Sequence, residues 1–126
     1  MPLRKLDHVN IRTSSLECLR RFYEEVVGLE AGPRPPFSMG GAWLYCGDMA
    51  AVHLVEVEKT PDCAAPRLEH FAFQAEGLPE FRQHLEDKAV EYELSIIPGW
   101  HIRQLHFRDP DGNHIEISFA AEEPLD

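Results

Sequence analysis

Hydrophobic and polar residues follow the same order in the two halves of the chain. Residues 6–12 read LDHVNIR and residues 68–74 read LEHFAFQ, so each segment gives an apolar residue, an acid and a histidine, then alternates. The two histidines, His8 and His70, are 62 residues apart in this numbering. The same separation aligns the helically spaced apolar positions that follow, namely Leu16 with Leu78, Leu19 with Phe81, and Tyr23 with Leu85. The pattern therefore predicts two copies of one module, each opening with a strand and then a helix.

The first module is predicted to be a strand, a helix and three further strands. Ser14 and Glu17 have the spacing of a capping box before the helix, and Gly28 stands where a helix C-cap is expected. Residues 29–37 contain three prolines and are at best an edge strand. Runs at 42–46 and 51–57 flank a Gly47-Asp48 turn and predict the last two strands.

The second module repeats this order after a polar linker at 59–67. A strand at 68–74 precedes a helix with Pro79 in its first turn, followed by weaker strands near 91–97 and 102–108. The final strand, 113–119, follows Asp109-Pro110-Asp111-Gly112-Asn113. That string lacks the spacing of a calcium-binding EF-hand, so it predicts a structural turn. The predicted order is βαβββ-βαβββ.

Alternation along the strands places several metal-ligating side chains on the faces turned away from the helices. These are His8 in the first strand, His70 in its repeat, and Glu116 between Ile115 and Ile117 in the last strand. Ionised Glu116 and two imidazoles on a concave sheet face would be poorly solvated, and a divalent cation would compensate them. Zn²⁺, Ni²⁺, Fe²⁺ and Mn²⁺ all suit such ligands. His53 is available as a fourth ligand.

Other polar and aromatic residues are candidates for a catalytic or binding role. His106 alternates with Leu105 and Phe107, which predicts that it faces the cavity as a supporting or proton-transfer residue. Trp43, Tyr45 and Trp100 would line a substrate pocket or pack in the core, and the sequence does not choose between these roles.

Composition excludes several classes of function. A chain of 126 residues is the usual size of one domain, and each half would struggle to bury enough surface alone. The net charge of −10 and the absence of a Lys/Arg run argue against nucleic acid as a partner. No apolar run approaches the roughly 20 residues of a membrane span, and residues 1–9 lack a secretory apolar region. Three cysteines without metal or redox spacing favour reduced thiols. Cytoplasmic residence is the resulting expectation.

Four segments together resemble the vicinal oxygen chelate superfamily, which includes glyoxalase I, extradiol dioxygenases and bleomycin-binding proteins. The matching strings are LDHV at 6–9, FY at 22–23 before GL at 28–29, LEHF at 68–71, and FRDPDGNHIE at 107–116. The resemblance implies an α+β fold in which two βαβββ modules, about 4–58 and 66–120, form one domain. Their strands would make an open half-barrel of mixed sheet with helices outside. It further implies metal ligands at His8, His70 and Glu116.

The fourth ligand position of the family falls on the last strand of the first module. Aligning Val52-His53-Leu54 with Ile115-Glu116-Ile117 places His53 there at a shift of 63, whereas an unbroken shift of 62 would place Leu54 opposite Glu116. Three and four protein ligands both remain open at this stage.

The resemblance favours a metal-dependent lyase or isomerase of the glyoxalase kind, in which the ion polarises vicinal oxygens of a small substrate and His53 or His106 serves in catalysis. The alternatives are an extradiol dioxygenase, and a metal-free small-molecule-binding protein similar to bleomycin-resistance proteins. A homodimer is expected, because two small modules leave open sheet edges that a second chain can cover.

Overall fold

The computed structural model describes residues 4–62 and 65–126 and divides the chain into two compact units, residues 1–63 and 64–126. The first unit comprises β1 (Val9–Thr13), α1 (Leu16–Phe22), a π-helical turn (Tyr23–Val27), β2 (Glu30–Gly32), β3 (Gly41–Cys46) and β4 (Met49–Glu56). Its sheet has the order β1-β4-β3-β2, with β1 parallel to β4 and the other pairs antiparallel. Within the segment 29–37, only Glu30–Gly32 form this edge strand, and the three prolines follow it.

The second unit repeats this topology. It comprises β5 (His70–Gln74), α2 (Leu78–Asp87), β6 (Glu93–Ile96), β7 (Arg103–Arg108) and β8 (His114–Phe119). The sheet order is β5-β8-β7-β6, and β5 is parallel to β8. The two βαβββ modules predicted from the sequence are confirmed.

Both first strands begin later than predicted. The strands start at Val9 and His70, and the leucines that open the repeated strings, Leu6 and Leu68, are 73% and 67% exposed. Leu6 is out of phase with the alternating pair Val9 and Ile11, so it cannot share the half-buried face on which they lie. The repeated leucine therefore belongs to the approach to each strand.

The predicted capping box at Ser14 is wrong. Ser14 lies outside the helix and bonds to Thr60 instead, with its N–H 2.6 Å and its hydroxyl 2.7 Å from Thr60 Oγ1. The helix N-cap is Ser15, which makes no side-chain cap. At the other end, Gly28 has φ +90° and closes the π-helical turn, which confirms the predicted C-cap.

Each helix covers one face of its own sheet with apolar side chains. In the first unit Leu19 and Tyr23 are buried together with Leu44, Val52 and Leu54 of the central strands. In the second unit the Phe81 ring contacts the rings of Phe107 and Phe119 at centroid distances of 6.5 and 5.9 Å. The opposite face of each sheet carries candidate site residues, His53 beside Trp43 in the first unit and Glu116 beside His106 in the second.

The turn before β8 is organised by the buried carboxylate of Asp109. Its Oδ1 accepts the backbone N–H groups of Asp111 and Asn113 at 3.0 and 2.8 Å, and its Oδ2 accepts the Asn113 side-chain amide at 2.8 Å. These bonds make Asp109 the organiser of a structural turn, as predicted, and the turn fixes where β8 begins.

A residue after the last strand caps α2. The Glu123 carboxylate accepts the backbone N–H groups of Gly77 and Leu78 at 3.0 and 3.1 Å. These bonds lower the pKa of Glu123 because they favour its charged form. Over residues 4–62 and 65–126, no helix has the length and apolar character to cross a bilayer.

Candidate metal centre

His53 lies in the middle of β4 between two other rings. Its side chain is buried, at 7% exposure, and its ring stacks on His8 at 3.8 Å and on Trp43 at 4.0 Å, with 10° between planes in both cases. The sheet register explains the second contact, because Trp43 of β3 is the direct neighbour of His53. Sequence reasoning treated His8 and His53 as candidate ligands, and the structure brings these two into contact.

The Nε2 atom of His53 is buried without a hydrogen-bond partner. Burial lowers the pKa of His53, the neighbouring His8 lowers it further, and a hydrogen bond to the Ala50 backbone opposes the shift. His53 is consequently neutral near pH 7, and because Nε2 makes no bond, the Ala50 contact falls to Nδ1. The unpartnered nitrogen then carries a lone pair, which is the form that ligates a metal.

His8 is oriented by the acid that precedes it. Its Nδ1 lies 2.7 Å from Asp7 Oδ2, and this bond lowers the pKa of the Asp7 carboxyl. A carboxylate that accepts the Nδ1 proton leaves Nε2 of the imidazole as the ligating atom, which is a common support for metal-bound histidines.

A cavity of about 640 Å³ opens beside this stack in the first unit. Half of its lining residues carry rings, namely His8, Phe37, Trp43, Tyr45 and His53. The other half are Lys5, Asp7, Asp48, Met49 and Ala50. Two of the three aromatic candidates from the sequence thus line a cavity, whereas Trp100 is 75% exposed.

The second unit pairs His70 with Glu116. Glu116 is buried at 8% exposure, and its Oε1 lies 3.5 Å from His70 Nε2. The Ser118 hydroxyl donates to Glu116 Oε2 at 3.1 Å, and His106 Nδ1 is 3.9 Å from Oε1. His106 is the register neighbour of Glu116, so it lies on this polar face as the alternation predicted.

Two further residues of this face were not proposed as ligands from the sequence. His114 Nδ1 lies 2.6 Å from Glu69 Oε2, and His70 Nδ1 lies 3.2 Å from the same oxygen. Ligand atoms of these three residues all lie within 4.8 Å of one another, so this histidine-glutamate cluster could hold a divalent ion. Two features of the sequence could have identified these residues. Alternation along β8 puts His114 on the face of Glu116, and the repeated acid-histidine pair places Glu69 next to His70.

Strand pairing decides which residues of the two units are equivalent. His53 pairs with Asn10 of the parallel neighbour, and Glu116 pairs with Ala72 of its own parallel neighbour. Asn10 and Ala72 are separated by the repeat of 62, so His53 and Glu116 occupy the same sheet position despite their separation of 63. The alternative that places Leu54 opposite Glu116 is excluded.

The amino-acid sequence matches a family model over almost the whole chain. The model is the Glyoxalase/Bleomycin resistance protein/Dioxygenase superfamily, and it matches residues 5–117. The chain belongs to this superfamily. The resemblance noted from the sequence is therefore confirmed, and so are the two mixed sheets of its βαβββ modules.

Known members of this superfamily give closer comparisons. Glyoxylase I 4 of Arabidopsis thaliana is 34% identical over 131 residues, which cover 98% of this chain and 75% of that protein. Metapyrocatechase of Geobacillus stearothermophilus is 28% identical over 125 residues, covering 93% of this chain but 37% of the enzyme. A crystal structure assigned to the glyoxalase family from Bacillus anthracis aligns with a TM-score of 0.78 and 26% identity, covering 94% and 96% of the two chains.

Proposed function

We propose that the protein is a divalent-metal-dependent lyase or isomerase of the glyoxalase kind, acting on a small substrate with vicinal oxygens. The proposed ligands are His8, His53, His70 and Glu116. The similarity to Glyoxylase I 4 supports the reaction class, and the donor set suits Zn²⁺, Ni²⁺, Fe²⁺ or Mn²⁺.

The observation that carries the proposal is the unpartnered Nε2 of His53 at the sheet position that Glu116 occupies in the other unit. A buried polar nitrogen without a hydrogen bond costs free energy, and a bound cation would remove that cost. Each unit also holds its own pair of ligand-type side chains in contact, His8 with His53 and His70 with Glu116. These two pairs are the ligands that we propose.

Held by these ligands, a divalent ion would supply Lewis-acid chemistry toward the vicinal oxygens of the substrate. The chain itself supplies orientation, since Asp7 holds His8 and Glu69 holds His70 through their Nδ1 atoms. The aromatic walls of the first-unit cavity would pack against the apolar part of the substrate, and the charged groups beside them are mixed, with Asp7 and Asp48 against Lys5.

His106 is the proposed residue for proton movement near Glu116. Both of its ring nitrogens have partners, with Ser95 Oγ 2.9 Å from Nε2 and His114 Nε2 3.1 Å from Nδ1. The His106 ring is thus held from both sides. A proton can pass between Ser95, His106 and His114 only if these groups exchange their donor and acceptor roles together.

A second candidate is an extradiol dioxygenase, favoured by the similarity to metapyrocatechase. Such an enzyme would use His8, His70 and Glu116 as a two-histidine, one-carboxylate set for Fe²⁺ and leave His53 as a base or wall residue. The two candidates differ in the expected effect of His53→Ala. Metal affinity falls if His53 is a ligand, and it stays unchanged if only three residues bind the ion.

The decisive experiment is metal analysis by mass spectrometry on protein purified without a polyhistidine tag or chelator. One ion per chain in the native protein and its loss in His70→Ala are expected, while His101→Asn serves as a control on an exposed loop histidine. Full occupancy in His70→Ala contradicts the ligand set. Metal-free protein that binds no added ion instead indicates the small-molecule-binding alternative.

The proposal includes the organisation of the protein. Residues 1–126 act as one domain of two repeats, and two chains of 14.4 kDa form a homodimer, which sedimentation at micromolar concentration tests. A cytoplasmic location is supported by the free thiols of Cys18 and Cys46, while Cys63 lies outside the described residues.

A further inference from the structure

An aromatic side chain of the first unit lines the cavity with half of its surface exposed. Phe37 is 49% exposed, and its ring lies 6.5 Å from the indole of Trp43, measured between centroids. An exposed ring in a cavity wall is available for contact with a bound molecule, and covering it removes apolar surface from water. The value of such a contact depends on whether the ring is held in place before binding.

The segment 33–40, which carries Phe37 between β2 and β3, is anchored at both ends. The Tyr45 hydroxyl donates to the carbonyl oxygen of Pro33 at 2.6 Å, and the backbone N–H of Glu56 donates to the carbonyl oxygen of Gly40 at 2.9 Å. Prolines at positions 33, 35 and 36 restrict the φ angles between these anchors. The segment therefore presents its aromatic side chain from a restrained backbone.

Each of the two aromatic rings has a planar group against one face. The Arg34 guanidinium carbon lies 5.1 Å from the centroid of Phe37, and Arg34 Nη2 donates to the carbonyl oxygen of Met39 at 3.3 Å. His53 stacks on one face of the Trp43 indole at 4.0 Å. Over residues 4–62 and 65–126, no ring is stacked on the second face of Phe37 or of Trp43. Each ring thus keeps one face for a ligand.

The rings of Phe37 and Trp43 form an open wedge. Their planes are inclined at 47° and their centroids are 6.5 Å apart, so the two rings are not stacked on each other. A flat ring inserted between two parallel aromatic faces needs about 7 Å, which is twice a contact distance of roughly 3.5 Å. A turn of the Phe37 ring and a shift of about 0.5 Å produce this separation without moving the backbone.

We infer that Phe37 and Trp43 hold an aryl group of the substrate between them, and that Phe37 determines this specificity. The inference rests on the proposed function, because Trp43 stacks directly on the proposed ligand His53. An aryl group attached to a carbon that bears one of the vicinal oxygens reaches the wedge from that position. The cavity of about 640 Å³ has the size of a small-molecule site. The substrate class is thereby narrowed to aryl-substituted molecules with vicinal oxygens.

Isothermal titration calorimetry of the full chain supplied with Zn²⁺ tests the inference with two hydroxamic acids. Benzohydroxamic and acetohydroxamic acid both present two neighbouring oxygens, and only the first carries an aryl ring. Phe37→Ala and Phe37→Leu should weaken benzohydroxamic acid by roughly 3- to 10-fold, the value of one aromatic pair, and leave acetohydroxamic acid unchanged. Phe37→Tyr keeps the ring and should retain the affinity. Met39→Ala, which truncates an exposed apolar side chain of the same segment, is the matched control.

The inference is overturned if Phe37→Ala weakens both hydroxamic acids equally, weakens neither, or has no more effect than Met39→Ala. Absence of benzohydroxamic acid binding to the native protein overturns it as well. Failure of the proposed function has a different signature, which benzamide reveals because it carries the aryl ring without the second oxygen. In that case benzohydroxamic acid binds no more tightly than benzamide, and Phe37→Ala still weakens both.

Discussion

Replacing Asp109 by alanine is expected to destabilise the second unit by about 3–4 kcal/mol, since three hydrogen bonds to one carboxylate are lost. The carboxylate is buried and accepts two backbone N–H groups and the Asn113 side-chain amide at 2.8–3.0 Å. Alanine leaves those donors without their acceptor inside the turn. A hydrogen bond contributes about 0.5–1.5 kcal/mol net, and about 1–1.3 kcal/mol for each of the three applies because they share one carboxylate in a part-buried turn.

Differential scanning calorimetry and circular dichroism measure this effect. For a chain of this size each kcal/mol lowers the melting temperature by about 3–4 °C, so a decrease of about 10–15 °C is expected. Asp109→Asn keeps one acceptor oxygen and should fall between alanine and the wild type. Asp48→Ala, in the corresponding turn of the first unit, removes an exposed carboxylate and should change stability by less than about 0.5 kcal/mol.

The reasoning is refuted if Asp109→Ala melts within about 2 °C of Asp48→Ala, because each kcal/mol should shift the melting temperature by roughly 3–4 °C. It would mean that the backbone of the turn holds its shape without the carboxylate. Metal affinity provides a second readout, because Asp109 determines where β8 begins and β8 carries Glu116. Weaker metal binding should therefore accompany the lower stability.

Further measurements test the capping and the metal. Glu123→Gln should lower the melting temperature at pH 7 relative to the control Glu122→Gln. The folded-state pKa of Glu123 lies below its ordinary value of 4.5. The difference in melting temperature is therefore present above pH 4.5 and disappears as the pH falls through the folded-state pKa. Affinity for Zn²⁺ should decrease as the pH falls, because protons compete with the ion for imidazole and carboxylate ligands, and a dialysis series at constant ionic strength measures this. Chelation at pH 7.5 should lower the melting temperature and metal add-back should restore it; an unchanged midpoint after verified metal removal contradicts coupling between the ion and the fold.

The sequence was sufficient for the fold because the repeat appears in several independent signals. Alternation in the strands, apolar spacing in the helices, Gly28 at the helix end and the Asp109 turn all indicate the same topology. Element ends were less predictable where the signal was a short motif. Ser14 has the correct spacing for a capping box, yet Thr60, 46 residues away in sequence, offers a competing partner that no local pattern reveals.

The same limit applies to the candidate site. Alternation placed His106 and Glu116 on one face, because that depends only on neighbours along a strand. The contacts of Glu69 with His114 and of Glu123 with the start of α2 each join residues about 45 positions apart. Such contacts arise from parallel strand pairing and from the path of the chain after β8, so they become visible only in three dimensions.

The stacking of Trp43 on His53 gives the protein an internal optical reporter. An indole 4.0 Å from an imidazole changes its fluorescence when that imidazole gains a proton or an ion, since a charged ring withdraws electron density from the excited state. Trp100, the other tryptophan, is exposed and lies in the second unit, so Trp100→Phe removes its background without touching the stack. Emission from Trp43 should then report any proton or ion that His53 gains, in real time and without a label.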